Sequence, residues 1–252
     1  MVIIKTEKEI TAMRKGGKIL SEIMDEIGRA ILPRVNTEEL DKLAERLVFR
    51  NGGTPAFKGQ GEKSKPYPAT ICASLNNEIV HSLPSPKKII KEGDLVKIDI
   101  GMKREGMITD MARTFEVGAV SAEAHKLSET TKECLREGIK KIKAGAKLSE
   151  YSSAVESYIK SRGFSVVREL IGHGVGRELH EDPQIPNYSW GARDVTLKEG
   201  MTLALEPMVN VGTYKIKLLE DDWTYATEDG KLSAHFEDTV LVKKGGCEIF
   251  TR

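Results

Sequence analysis

A mixed α/β fold made of two similar halves is what this chain predicts, on three observations. Apolar residues at helical spacing open the chain: Ile10, Met13, Ile19, Ile23 and Ile27 follow a Thr6-x-x-Glu9 capping pattern. Extended segments bounded by turn-forming residues come next, over 71–81 and 94–117. Helical spacing then resumes near residue 121, and extended segments follow it again.

Taken in order, the first helix stops at Pro33 and a second opens at Asn36-x-x-Glu39. Leu40, Leu43, Leu47 and Val48 share one face of that second helix, and Gly52-Gly53 ends it. Residues 54–68, rich in Gly, Pro and Lys, read as a loop. In the second half, helices are expected over about 121–143 and 149–162, the latter ended by Gly163. Strand-like segments follow around 164–169, 201–211, 215–219 and 234–243.

Direct comparison strengthens the repeat. Lys91-Glu92-Gly93 precedes Asp99 by the same spacing as Lys198-Glu199-Gly200 precedes Glu206. Asp110 lies eight residues before Gly118, and Glu237 eight before Gly245. The helical pairs superimpose at a shift of 111, with Gly52 over Gly163. The expectation is one catalytic domain over 1–252, duplicated internally at approximately 1–120 and 121–252. Each half carries two carboxylates at matching places.

Composition narrows the function classes. The 39 basic and 38 acidic residues nearly cancel, which removes the electrostatic case for nucleic-acid or membrane binding. No apolar run approaches the roughly 20 residues of a membrane span, and the opening Met1–Glu9 lacks the pattern of a secretory signal. Cys72, Cys134 and Cys247 form an odd set without Cys-x-x-Cys spacing, against a disulfide framework or a thiolate zinc site. Free thiols in a reducing cytoplasm are expected.

The acids carry the chemistry. A hairpin symmetric about Arg104 and Glu105 puts Asp99 directly opposite Asp110, with Cβ atoms roughly 4.5–5.5 Å apart. Ile98, Ile100 and Ile108 predict burial, and two carboxylates that close in a low dielectric cannot both stay ionised without a cation. For an isolated pair, water-facing aspartates or a shifted register would be the plainer reading. The second half argues otherwise: Glu206 sits in the apolar run Thr202–Met208, and Glu237 in Ala234–Val240. Four acids at repeated positions in apolar strands describe a site for two cations.

Gly172-His173-Gly174-Val175-Gly176-Arg177-Glu178-Leu179-His180 supplies imidazoles. The seven-residue spacing of His173 and His180 excludes a helical i, i+4 zinc pair, and Arg177 breaks a Gly-x-Gly-x-x-Gly loop. His81, His173 and His180 lie in segments rich in Gly, Pro or Asn, where active-site loops concentrate. His125 is expected on a solvated helix face, and His235 immediately precedes a carboxylate strand. Four carboxylates and one histidine suit Mn²⁺, Fe²⁺, Co²⁺ or Zn²⁺. Paired ions about 3.5–4 Å apart fit metal-assisted hydrolysis. The residues alone reach a two-metal hydrolase.

The motifs Ile98-Asp99-Ile100, Thr109-Asp110, Gly172–Gly176, Leu205-Glu206-Pro207-Met208 and Phe236-Glu237-Asp238-Thr239 resemble those of type I methionine aminopeptidases of the short bacterial kind. The resemblance runs over nearly the whole chain and implies the pita-bread α/β fold, two pseudo-symmetric halves around a dinuclear metal site. It implies two divalent ions (Co, Mn, Fe, Zn or Ni) on Asp99, Asp110, His173, Glu206 and Glu237, with Asp110 and Glu237 bridging. It implies that a water between the ions attacks the scissile carbonyl, with Glu206 as proton carrier and His180 and His81 on the substrate. Tyr67, Cys72, His81 and Trp223 would form the methionine pocket, and Asn76 and Ser233 match positions that bind a monovalent cation in some relatives.

The same resemblance implies a cytoplasmic monomer acting on the N-terminal methionine of nascent chains, with transient ribosome contact and no need of nucleic acid or membrane. Leu179, Ser82, Ser64 and Leu170 depart from the family's usual residues at their positions. Two alternatives keep the fold: an Xaa-Pro peptidase, which normally carries an additional N-terminal domain, and a non-catalytic binding protein, which typically loses metal ligands. The type II enzyme is disfavoured, since only 32 residues separate His173 from Glu206.

Overall fold

A computed structural model describes residues 2–190 and 194–252; Met1 and residues 191–193 of the expected 1–252 domain lie outside the described residues. Four helices form as their caps direct: α1 (Glu7–Ala30), α2 (Thr37–Arg50), α3 (Ala122–Ile139) and α4 (Leu148–Ser161). At α1 the Thr6 amide donates to Glu9 Oε2 at 2.8 Å and the Glu9 amide donates to Thr6 Oγ1 at 3.3 Å, a reciprocal cap of two otherwise orphaned donors. Asn36 caps α2 and Ser121 caps α3 in the same way, each accepting a backbone amide three residues on.

Helix α3 ends four residues before the expected boundary. Past Ile139 the chain tightens into short turns, and the Ala144 and Gly145 amides leave the helix to donate to Lys243 and Leu197 carbonyls. Bonds to the sheet replace a last helical turn.

The strands of the main sheet are antiparallel, in the order Ile71–Leu75, Leu95–Arg104, Met107–Glu116, Glu237–Lys243, Thr202–Leu205, Gly172–Gly174, Glu181–Ile185. Thr54–Pro55 also pairs with Leu95–Arg104, and Gly246–Ile249 with Glu237–Lys243. The order reads alike from either side of its centre, where Met107–Glu116 meets Glu237–Lys243. That junction holds two ladder pairs, Glu237 with Ala112 and Asp238 with Met111. Threonine hydroxyls bridge where the strands part. Thr239 Oγ1 donates to the Asp110 carbonyl at 2.7 Å and accepts its amide at 3.0 Å, and Thr114 does the same for His235 at 2.7 and 3.0 Å.

One apolar cluster lies between α1, α2 and the first-half strands (Leu20, Ile23, Ile27, Leu40, Ile98). A second lies between α3, α4 and the second-half strands (Leu127, Leu135, Tyr151, Val155, Leu203). Each helix pair thus buries its apolar face on its own half of the sheet and leaves the other face free to carry polar groups.

The hairpin register differs from the expected one. Arg104 pairs with Met107, so the turn is only Glu105-Gly106, with φ of 51 and 81°, the left-handed pair of a two-residue turn. The ladder therefore sets Asp99 opposite Ala112 and Asp110 opposite Gly101. The two aspartates are diagonal neighbours on one face instead of a direct pair, still within reach of each other. The segments expected over 71–81 and 201–211 each divide, at the Asn76-Asn77 turn and at Glu206-Pro207. Strands Glu181–Ile185, Tyr225–Thr227 and Gly246–Ile249 escape periodicity because they are short, polar or partly exposed.

Helix α1 packs closely on the segment just past the last strand at Gly17, where a Cβ would stand 2.5 Å from the Phe250 carbonyl oxygen. Alanine favours a helix over glycine by about 1 kcal/mol, but overpacking against backbone costs about 1–3 kcal/mol or more. Gly17→Ala is expected to lower the unfolding free energy in urea titration; a stabilised variant would mean that α1 is not held at this distance.

Candidate metal centre

The pleat delivers five side chains to one face of the sheet. Asp99 faces Ala112 across one ladder and Glu237 faces Ala112 across the next. Asp110, two residues from Ala112, shares that face. On the other side His173 faces Ala204, and Glu206 lies two residues beyond it, next to the end of the Leu205–Asp238 pairing. Ala112 and Ala204 are fully buried. A larger side chain at either would fill the space into which the acids converge.

Ligand atoms of Asp110, His173 and Glu237 lie within 4.8 Å of one another, and His173 Nε2 is 3.4 Å from Glu206 Oε1. Asp110 and Glu237 are buried, and Asp99 Oδ1, Asp110 Oδ1 and Glu237 Oε1 have no hydrogen-bond partner among the described residues. Buried carboxylate oxygens left unpaired at this density are costly, and a divalent cation is what such a set fits. Burial, followed by repulsion from neighbouring carboxylates, holds Asp99, Glu206 and Glu237 well above the usual carboxylate range, and burial pushes Asp110 up to about 7 against a lowering backbone hydrogen bond at Met111. The neighbouring Asp238 points to the opposite face and meets a different fate. It is neutralised by Arg113 at 2.7 Å and Arg252 at 2.6 Å.

The imidazoles are held neutral. Burial lowers His173 to about 3 and His81 to about 4, and lowers His180 as well. His173 Nδ1 lies 2.9 Å from the Gly174 carbonyl; donating there fixes the tautomer and leaves the Nε2 lone pair facing the acids. Its glycine neighbours are required by space: a Cβ at Gly174 would stand 2.2 Å from the Asp182 carbonyl oxygen. His180 meets His173 edge to face at 4.5 Å.

All five groups open into a cavity of about 750 Å³ that Tyr67, Cys72, His81, His180 and Trp223 also line. The expected divalent-metal, catalytic and substrate residues therefore meet in one place. Tyr67 and Trp223 pack edge to face at 5.0 Å. A Cβ at Gly61 would stand 2.5 Å from the Trp223 ring, so the glycine lets the indole lie against the loop. Cys72 pairs with Asp99 across the sheet, and burial pushes its thiol up. Leu170 and Leu179 line the cavity, whereas Ser64 is exposed near Glu62. Ser82 is buried and bonded: its hydroxyl donates to Glu78 at 2.9 Å and accepts from Lys88 and from Thr224 at 3.2 Å. This anchors the residue next to His81, which has a φ of 57°.

Asn76 and Ser233 offer little to a monovalent cation. The Asn76 carbonyl accepts from Lys97 Nζ at 2.8 Å and from the Ser233 amide at 3.0 Å. Its side chain is committed to Asp94 and the Leu95 amide, and the Ser233 hydroxyl donates to Val209. His125 lies on an exposed helix face beside Glu116, as expected.

Sequence reading set His235 before a carboxylate strand but gave it no role; its Nε2 is 3.7 Å from Glu206 Oε2 with neither ring nitrogen hydrogen-bonded. Sequence reading missed Glu181, which accepts the Arg177 and Glu178 amides at 2.7 and 3.2 Å and Lys5 Nζ at 2.5 Å. That buried pair braces the loop before His180. Only the adjacency of Glu181 to His180 could have signalled it.

Fold and site together define a metal-dependent hydrolase class. The model of metallopeptidase family M24 matches residues 11–244, and the chain belongs to that family. Within it the chain stands with the methionine aminopeptidases. It is 45% identical over 251 residues to the methionine aminopeptidase of Clostridium perfringens, covering 100% of this chain and 99% of that protein. The crystal structure of methionine aminopeptidase from Thermotoga maritima superimposes with a TM-score of 0.96 at 42% identity, covering 100% of both chains. The Xaa-Pro dipeptidase from Bacillus anthracis shares the pita-bread architecture at a TM-score of 0.78 and 25% identity, but this chain covers only 62% of it.

Protons and divalent ions compete for these acids. Because Asp110 titrates near 7 in the fold and near 4 when unfolded, the metal-free protein loses stability from it as pH rises between those values. The neutral histidines act oppositely, losing their contribution as pH falls below their unfolded value of about 6.5. The difference between metal-loaded and chelator-treated protein isolates the acids. The gain in unfolding temperature on adding Mn²⁺ should be small near about pH 5 and grow through about pH 8. A gain independent of pH would show that no proton leaves the site.

Proposed function

We propose that this chain is a methionine aminopeptidase that removes the initiator methionine from new proteins and prefers a small second residue. The observation that supports it most is the convergence of Asp99, Asp110, His173, Glu206 and Glu237 on one sheet face, at the floor of a cavity walled by Tyr67, Cys72 and Trp223. Asp99, Asp110, His173, Glu206 and Glu237 would hold two divalent ions. When bound, such a pair lowers the pKa of water to supply a nucleophile at neutral pH and polarises the scissile carbonyl.

The remaining work falls to the chain's own groups. Glu206 stands next to neutral His173 and His235, and its raised pKa suits it to accept a proton from the attacking water and return it to the departing amine. His180 hydrogen-bonds the substrate amide, and His81 meets the scissile nitrogen or the tetrahedral intermediate. Both are neutral at physiological pH, so each can donate or accept without bringing a charge into the cavity. The Tyr67–Trp223 pair gives the methionine side chain an aromatic wall.

One catalytic domain from two duplicated halves, about 1–120 and 121–252, accounts for the sheet order. Leu95–Arg104 with Met107–Glu116 in the first half corresponds to Thr202–Leu205 with Glu237–Lys243 in the second. The chain is assigned to the cytoplasm as a monomer meeting nascent chains at the ribosome. Three free cysteines suit that compartment, and among the described residues no helix is long and apolar enough to cross a membrane.

The metal-loaded protein is expected to cleave Met-Ala-Ser, to spare Met-Lys-Ser, and to leave Xaa-Pro peptides intact, as read by amino-acid release. Preferential Xaa-Pro cleavage would transfer the chain to the proline-directed branch. Glu206→Gln should lower kcat by about 10²–10⁴ while changing KM far less; retained turnover would remove Glu206 from proton transfer.

A further inference from the structure

Lys97 is a charged side chain buried in the molecule's interior, at 1% exposure. It lies in the strand Leu95–Arg104, between Ser74 and Thr114 on the flanking strands and two residues before Asp99. Its Nζ donates to the Asn76 carbonyl at 2.8 Å. Glu78, Asp94 and Lys88 are the charged groups near enough to influence it. A buried amine is expensive where an apolar side chain would fit the same strand, so its place calls for a role that needs a hydrogen-bond donor.

The carbonyl it meets is held inward by design of the turn. Asn76 has a left-handed φ of 51°. Its side chain accepts the Leu95 amide at 3.0 Å and donates to Asp94 at 2.9 Å, which fixes the turn between Ile71–Leu75 and Glu78–Val80. The Ser233 amide approaches the same oxygen at 3.0 Å. Two segments distant in sequence, the turn that leads to His81 and the strand that leads to Glu237, thus meet at one carbonyl beside one amine. The family resemblance implies a monovalent ion at these positions in some relatives; here the chain's own side chain reaches the carbonyl.

We propose that Lys97 is a tethered substitute for a monovalent cation: its amine takes the coordination position at the Asn76 carbonyl and makes this protein independent of potassium or sodium. Burial lowers the amine to about 7, but ammonium and neutral amine both donate to a carbonyl, so occupancy of the position does not hinge on protonation.

The test compares unfolding temperatures of the divalent-metal-loaded protein in potassium, sodium and choline chloride at equal ionic strength. The natural protein should unfold at the same temperature in all three. Lys97→Ser, which opens the carbonyl, should unfold at lower temperature in choline and recover in a saturable way with potassium. Lys97→Met, which fills the volume without a donor, should be lowered and indifferent to the salt. A saturable potassium or sodium response in the natural protein would overturn the proposal, as would a Lys97→Ser protein no more responsive than its parent. Should that variant not fold, crystals of the natural protein soaked in a thallium(I) salt decide the matter. The proposal requires no anomalous peak beside the Asn76 carbonyl, and a peak there sinks it.

Discussion

Repulsion among buried carboxylates is the constraint around which this molecule is arranged. Asp99, Asp110, Glu206 and Glu237 are brought into one low-dielectric space, where burial raises all four and neighbouring carboxylates raise Asp99, Glu206 and Glu237 further. No apolar packing rewards that placement. It is tolerated because α1 and α2 on one half, and α3 and α4 on the other, bury enough apolar surface behind the sheet to hold the strands in register. A divalent cation converts the liability into binding energy, which links fold stability, metal affinity and pH.

The sheet achieves this convergence with small devices. Ala112 and Ala204 leave room between the acids, and Thr239 and Thr114 lock the two ends of the short central ladder through paired hydroxyl bonds. Asp238 shows how strictly the pleat sorts charge. One residue from Glu237, it turns to the far face and is satisfied by two arginines. Supporting groups beyond the acids hold the segments around the cavity. Glu181 and Lys5 brace the loop before His180, and Ser82 anchors the turn at His81.

Much of this was legible in the residues. Capping patterns and helical spacing located the helices because those signals are local, as at Thr6–Glu9 and Asn36–Glu39. The acids in apolar strands announced themselves because burying a charge is costly, and the repeat told which acids belonged together. The hairpin register was not legible: Met102 to Gly106 has loop-like composition, yet left-handed Glu105 and Gly106 close it in two residues and shift Asp110 by one diagonal. Strand Glu181–Ile185, with a proline and three polar residues, carries no alternation because it lies at the sheet edge. The placement of Lys97 against Asn76 depends on a contact across 21 residues, and a lone lysine between apolar neighbours does not say where its amine ends.

Diffraction from a crystal soaked in Mn²⁺, recorded near the manganese absorption edge, tests the central claim most directly. Two anomalous peaks about 3.5–4 Å apart, enclosed by Asp99, Asp110, His173, Glu206 and Glu237, are expected. A crystal showing no peak among these residues, or manganese bound only elsewhere on the surface, would contradict the account.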